Sequence, residues 1–174
     1  ELHPENAGTP YEILLGRLGD DLLRAQGRDW RNEGHDQPGA AQLPGPCETF
    51  TATSRTVCGP FLEYWRGHGL DLGQPGQTYD ESLALFGMPV SEPTMEQSSD
   101  GKMYLTQWTE RARFEHHPEN AGTPYEVLLG LLGADLLRQS QGPATPPPGL
   151  PGIPNGDYKP MRSQQASRQH RSDK

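Results

Sequence analysis

Large apolar side chains are scarce in this sequence. Residues of the Ala, Val, Ile, Leu, Met, Phe, Trp, Tyr and Cys set make up 32% of its 174 positions. Ordinary globular domains hold roughly 45–50%, a norm that also counts Gly. The shortage excludes a core that runs the length of the chain. No apolar run approaches the 18 or so residues of a bilayer-spanning helix, so no membrane span is expected. Basic charge is short as well: 15 Lys and Arg face 23 Asp and Glu, for a net charge of −8. Nucleic-acid binding rests on neutralising phosphates, so an acidic body argues against it. The two cysteines, with His68 the nearest histidine, are too few for a four-ligand zinc site. No HExxH, no Gly-x-Ser-x-Gly and no Gly-rich phosphate loop after a strand occurs. Asn155-Gly156-Asp157 is too short for a calcium loop. These absences predict no cofactor and no enzymatic activity. The chain opens on Glu1 without an initiator Met or signal peptide, which suits a processed fragment or a start lying further upstream.

Helix breakers are abundant, with 21 Gly and 18 Pro. The apolar residues concentrate in 58–65, 79–90 and 103–137, while 25–46 and 139–174 hold few. This distribution predicts a complete domain over 47–138, a linker at 25–46, and a Pro-rich linker with a disordered tail at 139–174. The tail segment 159–174 carries five Lys and Arg against one Asp, leaving about −12 on the rest. Cys47 and Cys58, with ten residues between them in a domain with a small core, suit a disulfide and an oxidising compartment, with two free buried thiols as the alternative.

One stretch occurs twice. Residues 1–24 read ELHPENAGTPYEILLGRLGDDLLR and residues 115–138 read EHHPENAGTPYEVLLGLLGADLLR, identical at twenty of twenty-four positions. Self-similarity at a fixed offset signals a repeat array. The second copy ends a run of structured sequence, whereas the first opens the chain. Residues 1–24 therefore read as the orphan closing segment of a preceding repeat. Its Tyr11, Ile13, Leu14, Leu15, Leu18, Leu22 and Leu23 must pack somewhere. They are expected to mediate assembly on a neighbouring molecule. The alternatives are folding back on their own chain, or cover by a preceding half-domain.

Within 47–138, Pro60 and the glycines after Arg66 frame a short helix that carries Phe61, Tyr64 and Trp65 on one face. Thr78 and Glu81 form a capping box that opens a helix over Tyr79–Phe86, stopped by Gly87. Asp100-Gly101 joins two strands, Met95–Ser98 and Lys102–Trp108, in a hairpin. The second strand is expected to run on through Glu115 with a bend or bulge near Thr109–Arg111. The fold class that follows is α+β: a small disulfide-stapled domain with a twisted antiparallel hairpin-based sheet and two short helices, flanked by Gly/Pro-rich segments.

Several pieces form an ordered set: Cys58–Trp65 (CGPFLEYW), Leu85–Glu92 (LFGMPVSE), Gln107–Glu115 (QWTERARFE), His117–Asn120 (HPEN) and Val127–Gly133 (VLLGLLG). Together they resemble an uncharacterised extracellular repeat domain of Chloroflexota-type bacteria, over 47–138 and in part over 1–24. The FGMPVSE piece separately resembles the LGFP repeats of cell-wall proteins. The sequence departs from the family at Thr53-Ser54-Arg55, where the family has Thr-Gly-His, and at Thr109, where it has an aromatic. The resemblance implies a secreted or surface-exposed module attached to others, and no established chemistry.

His116-His117-Pro118-Glu119 is the densest cluster of metal-ligating types, but adjacent histidines on an extended segment point apart, and a loop His hydrogen-bonded to backbone is expected. Glu92, Glu110 and Glu115 qualify as paired catalytic acids by residue type alone. The functional expectation is an extracellular structural module that associates head to tail with other copies of itself through 1–24. The alternative is a module binding carbohydrate or peptidoglycan, with Trp30 and Trp108 as ligand aromatics.

Overall fold

A computed structural model describes residues 2–9, 12–13, 15–32 and 43–141. The expected Pro-rich segment and basic tail, together with Tyr11 and Leu14, lie outside the described residues. The elements are α1 (Leu18–Ala25), β1 (Cys47–Phe50), β2 (Arg55–Cys58), α2 (Gly59–Gly67), α3 (Tyr79–Phe86), β3 (Thr94–Gln97), β4 (Met103–Trp108), β5 (Arg113–His116), β6 (Val127–Leu129) and α4 (Leu132–Gln141). The fold is α+β, with a two-stranded antiparallel sheet β1-β2 and a four-stranded antiparallel sheet in the order β3-β4-β5-β6.

Local chemistry sets the helix starts. The Thr78 hydroxyl accepts from the Glu81 amide at 3.3 Å and the Glu81 carboxylate accepts from the Thr78 amide at 2.9 Å. That reciprocal box satisfies two of the amides a helix N-terminus leaves bare. Backbone bonds hold the Glu81 carboxylate, chiefly from Leu72 and Thr78, and keep its pKa below the ordinary value despite its burial. α2 starts directly after Cys58, which pairs with Cys47 both in the β1–β2 ladder and through a disulfide. The β3–β4 turn is closed by Ser98 and Lys102, with Gly101 at φ 85, where a side chain would be strained.

The expected long strand is instead two strands. β4 ends at Trp108, the chain reverses over 109–112, and β5 returns antiparallel with Trp108 opposite Arg113. Residues opposed across an antiparallel turn share a face, so the alternation changes parity there. Phe114 consequently lies on the face of Leu105 and Gln107, opposite Trp108, although all the even-numbered positions would share a face in a continuous strand.

That inversion divides the interior into two cores on opposite faces of the four-stranded sheet. Leu105, Phe114 and Val127 pack with Phe50, Phe61 and Trp65. Phe61, Tyr64 and Phe86 surround the Phe114 ring at 5.1–5.9 Å between centroids. Trp108, on the other face, packs with Val90, Leu132 and two leucines of α1. The linker expected at 25–46 is shorter than its composition suggests: Leu43 joins the first core and Trp30 the edge of the second.

Candidate functional site

The best-built surface in the molecule is the seat that holds α1. Its floor is the 109–112 turn, which carries no Gly, Pro or Asx signal. The Thr109 side chain does their work. Its hydroxyl donates to the Phe86 carbonyl at 2.6 Å and accepts from the Ala112 amide at 3.0 Å, while its amide donates to the Ala112 carbonyl at 2.9 Å. The Glu110 and Arg111 amides donate to the carbonyls of Met88 and Phe86. Thus the Phe86–Ser91 stretch, which is most of the FGMPVSE motif, is a brace for this turn. Pro89 bridges Thr109, the Val90 amide donates to the Trp108 carbonyl, and the Ser91 hydroxyl accepts from the Trp108 amide at 2.9 Å.

α1 meets this floor backbone to backbone. The Asp20 amide donates to the Glu110 carbonyl at 3.1 Å. A β-carbon on Gly19 would fall 2.1 Å from the Thr109 carbonyl oxygen, so only glycine permits the approach. Arg17 pairs with the Glu110 carboxylate at 2.7 Å, and Arg111 donates to the Leu15 carbonyl at 3.1 Å. Leu22 and Leu23 are 0% and 1% exposed, buried beside Val90, Trp108 and Leu132. Fully burying two such side chains stabilises by about 1.5–3 kcal/mol each.

A carboxylate locks the helix from above. Asp20, 1% exposed, accepts from Trp30 Nε1 at 2.7 Å and is reached by Arg24 at 2.8 Å and by Arg17 and Arg31 at 3.3 Å. Burial alone would raise its pKa. The hydrogen bonds from Arg31 and Trp30 and the charges of Arg17 and Arg31 outweigh burial and hold it below its ordinary value. Residues 28–32 extend the lock: Arg28 pairs with Glu96 at 2.9 Å, and Arg55 donates to the Trp30 carbonyl at 3.1 Å.

The residues expected to mediate assembly therefore divide. Leu18, Leu22 and Leu23 are consumed within the chain, which corrects the expectation that they are offered to a neighbour. Ile13 and Leu15 stay exposed. Of the two proposed sugar-stacking aromatics, Trp108 is fully buried, with Nε1 donating to Glu96 at 2.8 Å, so it presents no face to a ligand. Trp30 is half-buried, with the Arg31 guanidinium 4.3 Å over its ring. It borders an open cleft of about 600 Å³ that Thr53, Leu83, Met88 and Arg111 also line.

The remaining chemical candidates are engaged in structure. Glu115 is buried against Arg113 and accepts from Ser98 at 2.8 Å. Glu110 belongs to the α1 seat. His117 pairs with Glu119 at 3.0 Å rather than with backbone, and stacks on Tyr104 at 4.0 Å. Among the described residues no group of three or more His, Cys, Asp or Glu is placed to hold a metal ion, and no helix is long and apolar enough to cross a membrane. No family model, curated protein or solved structure matches this chain.

Proposed function

We propose that the protein is a non-catalytic extracellular structural module whose duplicated closing segment joins adjacent repeats. The observation that carries this reading is the seating of α1. It is the helix half of an orphan closing segment, and it is buried on a body that already holds a closing segment of its own. A repeat array in which each unit touches only its neighbours gains stiffness from such joints. The disulfide, the acidic surface and the resemblance to surface-exposed repeats favour an extracellular setting.

The test is reconstitution of the joint. A chain beginning at Gly27 exposes the Trp108 face, and a peptide of residues 1–26 is then added. Expected are a bound peptide, a change in Trp108 fluorescence and recovery of the full chain's melting temperature. A folded Gly27 chain that ignores the peptide and melts like the full chain would remove the reading.

A further inference from the structure

The open cleft of about 600 Å³ beside Trp30 lies within the size range of small-molecule sites. Separate stretches of the chain converge on it. Trp30 comes from the segment that locks α1, Thr53 from the turn between β1 and β2, Asp80 and Leu83 from α3, Met88 from the brace, and Arg111 from the turn that the brace holds. Asp80 and Leu83 are three positions apart and so share one face of α3.

Polar groups around this cleft hold hydrogen-bonding capacity that the protein does not use. The Asp80 carboxylate has no hydrogen-bond or ion-pair partner among the described residues. Arg111 commits Nε to the Leu15 carbonyl at 3.1 Å and Nη1 to the Leu83 carbonyl at 3.4 Å, which leaves Nη2 uncommitted among those residues. Thr53 is 7% exposed, and its buried hydroxyl has no partner there either. A ligand hydroxyl, met directly or through one water, relieves the cost of such an unpaired group. Glu110 is different, because one of its oxygens accepts from Arg17 at 2.7 Å and the other from the Met88 amide at 3.3 Å.

The charges around the cleft decide the ligand class. Asp80 is balanced by Arg111, Glu110 by Arg17, and the Arg31 guanidinium over the Trp30 ring by Asp20. An anion entering here meets Asp80, and a cation meets Arg111, so neither gains from a net field. The ligand that fits is neutral, donates to a carboxylate, accepts from a guanidinium and keeps an apolar face for Trp30, Leu83 and Met88. A pyranose has that make-up, with ring C–H groups on its faces and hydroxyls at its rim. We infer that the cleft is a binding site for a short neutral saccharide. Asp80 accepts from the sugar hydroxyls, Arg111 Nη2 donates to them, and the ring lies against the apolar wall. This site uses the cleft as it stands with α1 seated and does not depend on the joint between repeats.

The wild-type chain carries its own reporter. Of its three tryptophans, Trp65 and Trp108 are 1% and 0% exposed, so Trp30 is the indole that a ligand can reach. The experiment titrates the full chain with glucose, N-acetylglucosamine, cellobiose and chitobiose, and with inorganic phosphate and methylammonium as charged probes, and follows tryptophan emission. A saturable change with at least one sugar, half-complete at about 1 mM, is expected. The charged probes are expected to give none. Asp80→Ala should weaken the sugar by about tenfold or more and leave the melting temperature close to that of the wild type, since Asp80 holds no partner. Asp80→Asn, which keeps the size of the side chain, covers the case in which Asp80→Ala does not fold, and should weaken the sugar too.

No saturable response to any of these sugars would overturn the inference. So would an undiminished response in a folded Asp80 variant, or a response confined to phosphate or methylammonium. The Gly27 reconstitution reads peptide binding and the titration reads sugar binding, so either can fail while the other stands.

Discussion

The two copies of the closing segment share their wording and differ in their surroundings. Among the described residues their loops share the same backbone hydrogen bonds, because the Pro, Gly, Thr and Glu that make them are present in both. Their helices do not share a fate. Leu23 of α1 is 1% exposed, while Leu137 at the same place in α4 is 57% exposed. Gly19 is wedged against the Thr109 carbonyl, while Gly133 has open space around it. Asp20, caged by three arginines and a tryptophan, is replaced by Ala134, and Arg17 by Leu131. Local sequence thus sets the turn, and tertiary partners set burial. Two of the four substitutions separating the copies, at Arg17 and Asp20, fall on the residues that seat α1.

Paired substitutions sharpen this contrast. Leu23→Ala should cost about 2–5 kcal/mol in urea unfolding, because it empties a filled site. Leu137→Ala should change stability by no more than about 0.5 kcal/mol. Equal losses would mean that the two helices are equally buried in solution. Gly19→Ala should cost about 1–3 kcal/mol, since its β-carbon meets backbone that cannot move aside. Gly133→Ala should cost nothing and could gain up to about 1 kcal/mol of helix propensity. Thermal melts followed by tryptophan fluorescence would read both.

Asp20→Asn should cost about 1–2 kcal/mol at neutral pH through its charge-assisted bonds, with Ala134→Asp near zero. The Asp20 term also has a pH signature. Its folded pKa lies below the ordinary 3.8, so its stabilisation is complete above 3.8 and is lost as pH falls through the lower folded value. The stability gap between wild type and Asp20→Asn should therefore close in acid. A gap that persists well below the folded value would assign the lock to shape rather than charge.

Much of the fold was legible in the sequence because its signals are local. The capping box at Thr78–Glu81, the Asp100-Gly101 turn and the Cys47–Cys58 bridge each need only nearby residues. Of the 109–112 reversal only the place was legible, as a bend or bulge near Thr109–Arg111; that the chain turns back there was not. The reversal is held by a threonine hydroxyl and by carbonyls of Phe86 and Met88 more than twenty positions away, and none of these has a sequence mark. Missing it also put Phe114 on the wrong face and made Trp108 look available to a ligand. Trp30 reads in the sequence as a ligand aromatic, and its partner Asp20 could not be named without the seat. The duplication itself pointed to 1–24 as the segment of interest; which half is spent and which is free depends on a surface made by distant strands.

The position of α1 has a mechanical consequence. Tension between the two ends of the chain would load the α1 seat before the sheets, since α1 precedes every strand of the body and is held by side chains rather than by a ladder. Once released, residues 18–46 can span at most roughly 100 Å at full stretch, while the disulfide still closes the β1–β2 hairpin. Single-molecule stretching should show that length as a first, low-force step, absent from the chain beginning at Gly27.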